Sequence, residues 1–400
     1  MTQPSSVLVV GASVGGLAVA EALRRDGYAG SLTLLGAERH PPYDRPPLSK
    51  KVLAGAWEAE RALLRPEAAL ARLDAALLFG DPAVRLDVDA REVTTAGGRS
   101  VRADAIVLAT GLEPRRLPGQ EQWQGVHVLR TLDDALALRA ELLTGPRVVV
   151  VGDGVLGTEI AATARSLGLA VTLVGPQSAP LASQLGPQVG GYLAALHARQ
   201  GVEQRLGVAV EALVGDGARV RGVRLADGEV LPADVVVVAM GSRPAIGWLA
   251  DSGLRLADGV VCDSRCRAAD GIYAVGDVAW WFHERLGSGL RLENRSNAVE
   301  QAMVVAGNIL GKDVAYTPVP FFWTDQFDVK IQVHGFLPAA AEVTIVEGAP
   351  ERDQFVALYG YGGKVTGVLG WNMVKQVRTH RRHVVEGTAW GEVVAAAPVT

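Results

Sequence analysis

Cysteine is almost absent: Cys262 and Cys266 are the only two in 400 residues. That number excludes a disulfide framework and points to a reducing compartment, the cytoplasm, as the expected location. No apolar run approaches the roughly 18–20 residues that span a bilayer, so a membrane partner is not expected. The uncharged stretch from Val7 to Ala20 is interrupted by glycines and preceded by no Lys or Arg, which reads as strand and helix rather than signal peptide. A basic excess is also missing. Lys and Arg number 39 against 43 Asp and Glu, a net charge of −4, so no global field draws nucleic acid phosphates. The seven His residues show no ligand spacing, and no metal is expected.

Glycine, by contrast, is abundant, with 47 residues, and its placement is informative because glycine serves where backbone turns tightly or approaches a ligand. Hydrophobic residues make up 49% of the chain and its length exceeds a common single domain, so two or three packed units are expected.

The chain repeats itself. Val7-Leu8-Val9-Val10-Gly11-Ala12-Ser13-Val14-Gly15-Gly16 and Val148-Val149-Val150-Val151-Gly152-Asp153-Gly154-Val155-Leu156-Gly157 are each a β-branched run followed by a glycine turn. Ala-rich helical stretches come next, then strands around Leu32–Leu35 and Val171–Val174, which completes two βαβ units. Further on, Ala103–Gly111 parallels Ala233–Gly241, each followed three residues later by a proline, Pro114 or Pro244. In such turns the first glycine permits the bend, the second admits a pyrophosphate, and the third packs helix on strand. The helix N-terminus then offers N–H donors to the phosphates. Two copies in matched settings predict two dinucleotide sites, built around Gly11, Ser13 and Gly16 and around Gly152, Gly154 and Gly157.

An acidic residue near the end of the second strand normally meets the ribose. Glu38 is placed for this in the first copy. The second has Gly175-Pro176-Gln177, with neither a carboxylate nor a basic residue for a 2′-phosphate. The choice between NADH and NADPH is therefore weakly determined, and Gly175→Glu is expected to sharpen a preference for NADH.

The segments Pro42-Tyr43-Asp44-Arg45-Pro46-Pro47-Leu48-Ser49-Lys50, Ala109-Thr110-Gly111, Ile272–Ala279, Ser296–Gln301 and Pro320–Gln326 resemble the FAD-dependent, NADH-dependent ferredoxin reductases of bacterial oxygenase systems. These are the putidaredoxin reductase type within the two-dinucleotide-fold flavoprotein superfamily. The resemblance covers roughly residues 5–388. It implies FAD in the first unit and NADH in the second, with electrons passed singly to a [2Fe–2S] ferredoxin that supplies a monooxygenase or dioxygenase. The alternatives are a rubredoxin reductase or NADH oxidase on the same scaffold, or a redox-sensing FAD-binding interaction protein. Cofactor contacts implied are Arg45, Pro46, Lys50, Thr110, Gly111, Asp277, Val278, Trp323, Glu159 and Gly241, with Lys50 and Glu159 as the catalytic pair. Asp277 would hold the ribityl chain, and it also reads as a helix N-cap. Lys50 and Glu159 also read as ordinary surface ions, although a carboxylate just past Gly157 is costly unless paired. Arg295 stands where relatives often carry Trp. With the basic stretch Lys375, Arg378, Arg381 and Arg382, it is a candidate for docking an acidic ferredoxin.

The expected fold is α/β: two doubly wound Rossmann-like domains and a C-terminal α+β domain. The FAD domain is discontinuous over 1–112 and 241–315, the NAD(P)H domain spans 113–240, and the C-terminal domain spans 316–400. The oligomeric state is left open between monomer and dimer.

Overall fold

The computed structural model describes residues 3–396. Contacts divide the chain into two compact units. The first comprises the chain through Asp44, Glu60–Glu113 and Arg243–Pro318; the second comprises Arg45–Ala59, Pro114–Ser242 and the chain from Val319 onward.

In the first unit, the β-branched run becomes the strand Ser6–Val10, flanked by the parallel strands Ser31–Gly36 and Ala105–Leu108. Ala76–Phe79 extends one edge, while Ile272–Ala274 and the antiparallel Arg267–Ala269 extend the other. Val7, Leu8, Val9 and Val10 are all buried, as expected of a strand covered on both faces. The helix Val14–Arg25 crosses over between Ser6–Val10 and Ser31–Gly36 and packs on the helix Arg295–Ile309. Gly15 lies at this crossing, where an added Cβ would make an ordinary contact with Ala298 Cβ at 3.6 Å. Glycine turns at Gly97-Gly98 and Gly228 join antiparallel pairs, Glu92–Thr95 with Ser100–Arg102 in this unit and Arg219–Leu225 with Val230–Pro232 in the second.

The second unit repeats the plan. Its five-stranded parallel sheet runs Glu203–Leu206, Val171–Gly175, Val148–Val151, Val235–Val238, Val126–His127. The helix Val155–Ser166 follows the glycine turn. A separate antiparallel sheet is formed by Phe321–Gln326, Val329–Gly335, Lys364–Trp371, Gln354–Tyr361 and Glu342–Ala349, in that order. Its core of Phe355, Tyr359, Trp371 and Ile331 is fully buried with Leu181, Leu185 and Leu193. The basic stretch forms the helix Val374–Glu386, with Val377 buried and Lys375, Arg378, Arg381 and Arg382 exposed.

Asp277 was expected to precede a helix. It lies instead in a single 3₁₀ turn, Gly276–Val278, followed by the strand Ala279–His283. The alternation of buried Trp281 and His283 with exposed Phe282 fits period two, and Asp277 is not an N-cap.

Candidate functional site

Both glycine turns are closed by contacts that admit no side chain. Gly11 has φ +119°, and a Cβ there would lie 2.2 Å from the Ala109 carbonyl oxygen; a Cβ at Gly16 would lie 1.9 Å from the Gly11 oxygen. In the second unit Gly152 has φ +122° with 2.1 Å to the Ala239 oxygen, and Gly157 has 1.8 Å to the Gly152 oxygen. The middle position is different. A Cβ at Gly154 would meet nothing within 4 Å, and Ser13 there makes no side-chain cap to its helix. The open space at Gly154 and the lack of a side-chain cap on both helix N-termini fit a pyrophosphate in each unit.

Around the first turn, Glu38 accepts a hydrogen bond from the Tyr43 hydroxyl. Thr110 Oγ1 donates to the Ala245 oxygen at 3.0 Å, and Gly111 adopts φ +70°. Gly276 N donates to buried Gln301 Oε1 at 2.8 Å, which pins the turn bearing Asp277 and Val278. The Asp277 carbonyl accepts from Arg291 at 3.1 Å. Arg295 is not an unengaged charge, because its Nε donates to Asp44 Oδ1 at 2.7 Å.

The second unit assembles a buried polar cluster from four segments. Val52 N donates to the Pro47 oxygen, one wide π turn that carries Ser49 and Lys50. Lys50 Nζ meets Glu159 Oε2 at 2.6 Å, and Ser49 Oγ donates to the same oxygen at 2.6 Å. Thr324 Oγ1 donates to Glu159 Oε1 at 2.8 Å. Glu159 is therefore a paired, buried carboxylate, 5% exposed, and not a surface ion. Behind it, Gln326 Nε2 donates to Thr158 Oγ1 at 2.9 Å, and Gln326 Oε1 lies 2.7 Å from His197 Nε2. Burial holds the His197 imidazole below its ordinary pKa, with the Gln326 bond opposing. On the strand's other face Trp323 stacks on Phe321, and Phe321 on His334. Arg45 donates to the Arg130 oxygen at 2.6 Å, half-buried Pro46 precedes the π turn, and Gly241 takes φ +84°.

Ser49, Thr158, His197, Thr324 and Gln326 were not singled out from sequence. Ser49, Thr324 and Gln326 lie inside the quoted motifs, and their positions there are the signal that was available.

The expectation of no carboxylate beside Gly175 is corrected. A Cβ at 175 would lie 2.1 Å from Asp153 Oδ2, so Gly175→Glu requires expelling Asp153 rather than filling a gap.

Both cysteine side chains are packed into core: Cys262 ends the strand Gly259–Cys262, and Cys266, fully buried, closes the polar turn that begins at Asp263. Burial pushes the Cys266 thiol up to about 12 and the Cys262 thiol well up. Both are free thiols. The native protein is accordingly expected to leave Ellman's reagent unconsumed at pH 8 and to release both thiols in guanidinium. Rapid labelling of the native chain would contradict this burial. Among the described residues no group of three His, Cys, Asp or Glu side chains clusters to hold a metal ion, and no helix is long and apolar enough to cross a membrane.

Residues 5–302 match the family described as pyridine nucleotide-disulphide oxidoreductase, and residues 321–400 match the reductase C-terminal family. The chain is 37% identical to a ferredoxin–NAD(P)(+) reductase of a Sphingomonas species, over 94% of this chain and 92% of that protein. It is 36% identical to the ferredoxin–NAD(+) reductase component of the p-cumate 2,3-dioxygenase system of Pseudomonas putida, over 95% and 93%. Among solved structures, the ferredoxin reductase for the CYP199A2 system from Rhodopseudomonas palustris has a TM-score of 0.93 at 33% identity, covering 99% of this chain and 98% of that one.

Proposed function

The chain belongs to the pyridine nucleotide-disulphide oxidoreductase family, and on that premise we propose that it is a ferredoxin reductase. It takes a hydride from NADH onto FAD and passes electrons singly to a [2Fe–2S] ferredoxin that serves an oxygenase. The observation that carries this reading is the presence in one chain of two glycine turns, each closed by backbone contacts that only glycine permits. FAD, when bound, supplies the chemistry of accepting electrons in pairs and releasing them singly.

The chain's own work is binding and charge placement. FAD is assigned to the discontinuous first domain, around Gly11, Ser13, Gly16, Glu38, Thr110, Gly111, Asp277 and Val278. NADH is assigned to the second, around Gly152, Gly154, Gly157 and Gly241. Lys50 and Glu159 are the proposed catalytic pair, one a fixed ammonium and the other the carboxylate that holds it. The exposed Lys375, Arg378, Arg381 and Arg382 supply positive charge that steers an acidic ferredoxin. Because Arg295 is paired with Asp44, Arg295→Glu would set two like charges together and disturb more than docking. The reduced thiols fit the cytoplasm as the proposed compartment.

The test is stopped-flow bleaching of the flavin by NADH, with and without a [2Fe–2S] ferredoxin. Rapid bleaching followed by ferredoxin reduction that slows as salt rises is the expected result. Bleaching with no electron delivery to any ferredoxin, only to oxygen, would make the protein an NADH oxidase.

A further inference from the structure

The strand Val171–Gly175 ends without the acidic side chain that usually meets the ribose, and the internal repeat reveals what stands there instead. Val10 pairs with Leu35 and Gly11 N donates to the Leu35 oxygen at 2.7 Å; Val151 pairs with Val174 and Gly152 N donates to the Val174 oxygen at 2.7 Å. This register equates Ala12 with Asp153, Gly36 with Gly175, and Glu38 with Gln177. In both units a Cβ on the strand-end glycine would strike the turn residue, Ala12 Cβ at 2.7 Å or Asp153 Oδ2 at 2.1 Å. The turn residue thus occupies the space above the strand end in each.

The chemistry is exchanged between the copies. In the first, the turn residue is a methyl group and the carboxylate lies two residues past the glycine, at Glu38. In the second, the carboxylate is on the turn, at Asp153, and the position two past the glycine holds an amide. Gln177 N donates to Asp153 Oδ2 at 2.8 Å and Gln177 Nε2 donates to Oδ1 at 2.7 Å. A second carboxylate at 177 would repel the first, whereas the amide fixes it. Asp153 is 4% exposed, and each of its oxygens keeps a lone pair beyond the Gln177 bonds.

We propose that Asp153 is the ribose-binding and coenzyme-selecting carboxylate of the second unit. Its remaining lone pairs accept from the adenosine ribose hydroxyls of NADH, and its charge rejects the 2′-phosphate of NADPH. Gln177 is a positioning residue that holds it. The proposal rests on reading the second unit as the NADH site.

Calorimetric titration of the FAD-loaded protein with ADP-ribose and 2′-phospho-ADP-ribose tests it by binding alone, since neither ligand carries nicotinamide. The parent protein is expected to favour ADP-ribose by roughly 100-fold, the scale of a like-charge contact. Asp153→Ala is expected to shrink the ratio to about tenfold or less, with the phosphorylated ligand gaining affinity in absolute terms. Gln177→Leu should weaken both ligands while the ratio stays within about twofold. Equal weakening of both by Asp153→Ala would make that residue a loop support and overturn the proposal. Should that variant not fold, the parent protein decides, because equal affinity for the two ligands overturns the proposal by itself. If the parent binds neither ligand, the assignment of NADH to this unit falls first.

Discussion

Glu159→Ala is expected to lower the stability of the second unit by about 3–5 kcal/mol, the cost of stranding one partner of a buried ion pair. The Lys50 ammonium would lose its carboxylate at 2.6 Å while only 17% of its side chain is exposed, and the Ser49 and Thr324 hydroxyls would lose their acceptor. A unit of this size should melt about 10 °C lower. Lys50→Met should cost a similar amount by leaving the carboxylate unpaired. The double variant Lys50→Met/Glu159→Gln leaves no charge behind, so it should be more stable than either single change. Strictly additive losses across Lys50→Met, Glu159→Gln and the double variant would show that the pair is not coupled. Rate separates structure from chemistry here: flavin bleaching by NADH should stay about 100-fold slow in the double variant although stability returns. Recovery of rate along with stability would reduce the pair to a structural clamp.

Asp277→Ala should purify largely without FAD. A carboxylate that anchors hydroxyls of the bound cofactor contributes roughly 1–3 kcal/mol per bond, and each loss of 1.4 kcal/mol weakens binding tenfold. The surroundings sharpen the test, because the turn Gly276–Val278 is held independently by Gln301 and by the Arg291 contact to the Asp277 carbonyl. Removing the side chain should leave the backbone in place, so ADP-ribose binding in the other unit should survive. Flavin absorbance per chain reads the outcome, and full occupancy would remove Asp277 from the site.

What was legible in the sequence was what is local. Glycine spacing and β-branched runs revealed the two βαβ units because both signals depend on a few consecutive residues. The pairing of Lys50 with Glu159 came from motif resemblance and from the cost of an unpaired carboxylate, and the distance of 2.6 Å bears the pairing out. Long-range contacts that no motif pairs were not legible. Thr324 reaches Glu159 across 165 residues, and Arg295 reaches Asp44 across 251. The segment after Asp277 was misread because the unbroken aromatic run from Trp280 to His283, which favours a strand, was not weighed. Asp153 was missed for another reason: the acidic partner was sought along the strand end, while the glycine at 175 recorded that a neighbouring side chain already filled the space.

The long reach of the Thr324 bond also orders events on the ribosome. Glu159 and Lys50 emerge 109 residues apart, but Thr324 follows Glu159 by another 165, about 8–33 s at ordinary rates of synthesis. The first unit waits too, since its last segment, Arg243–Pro318, is made only after most of the second. Nascent chains of this protein therefore carry an unfinished first unit until Pro318 has been made, and the Lys50–Glu159 pair can form before the strand that brings its Thr324 donor exists.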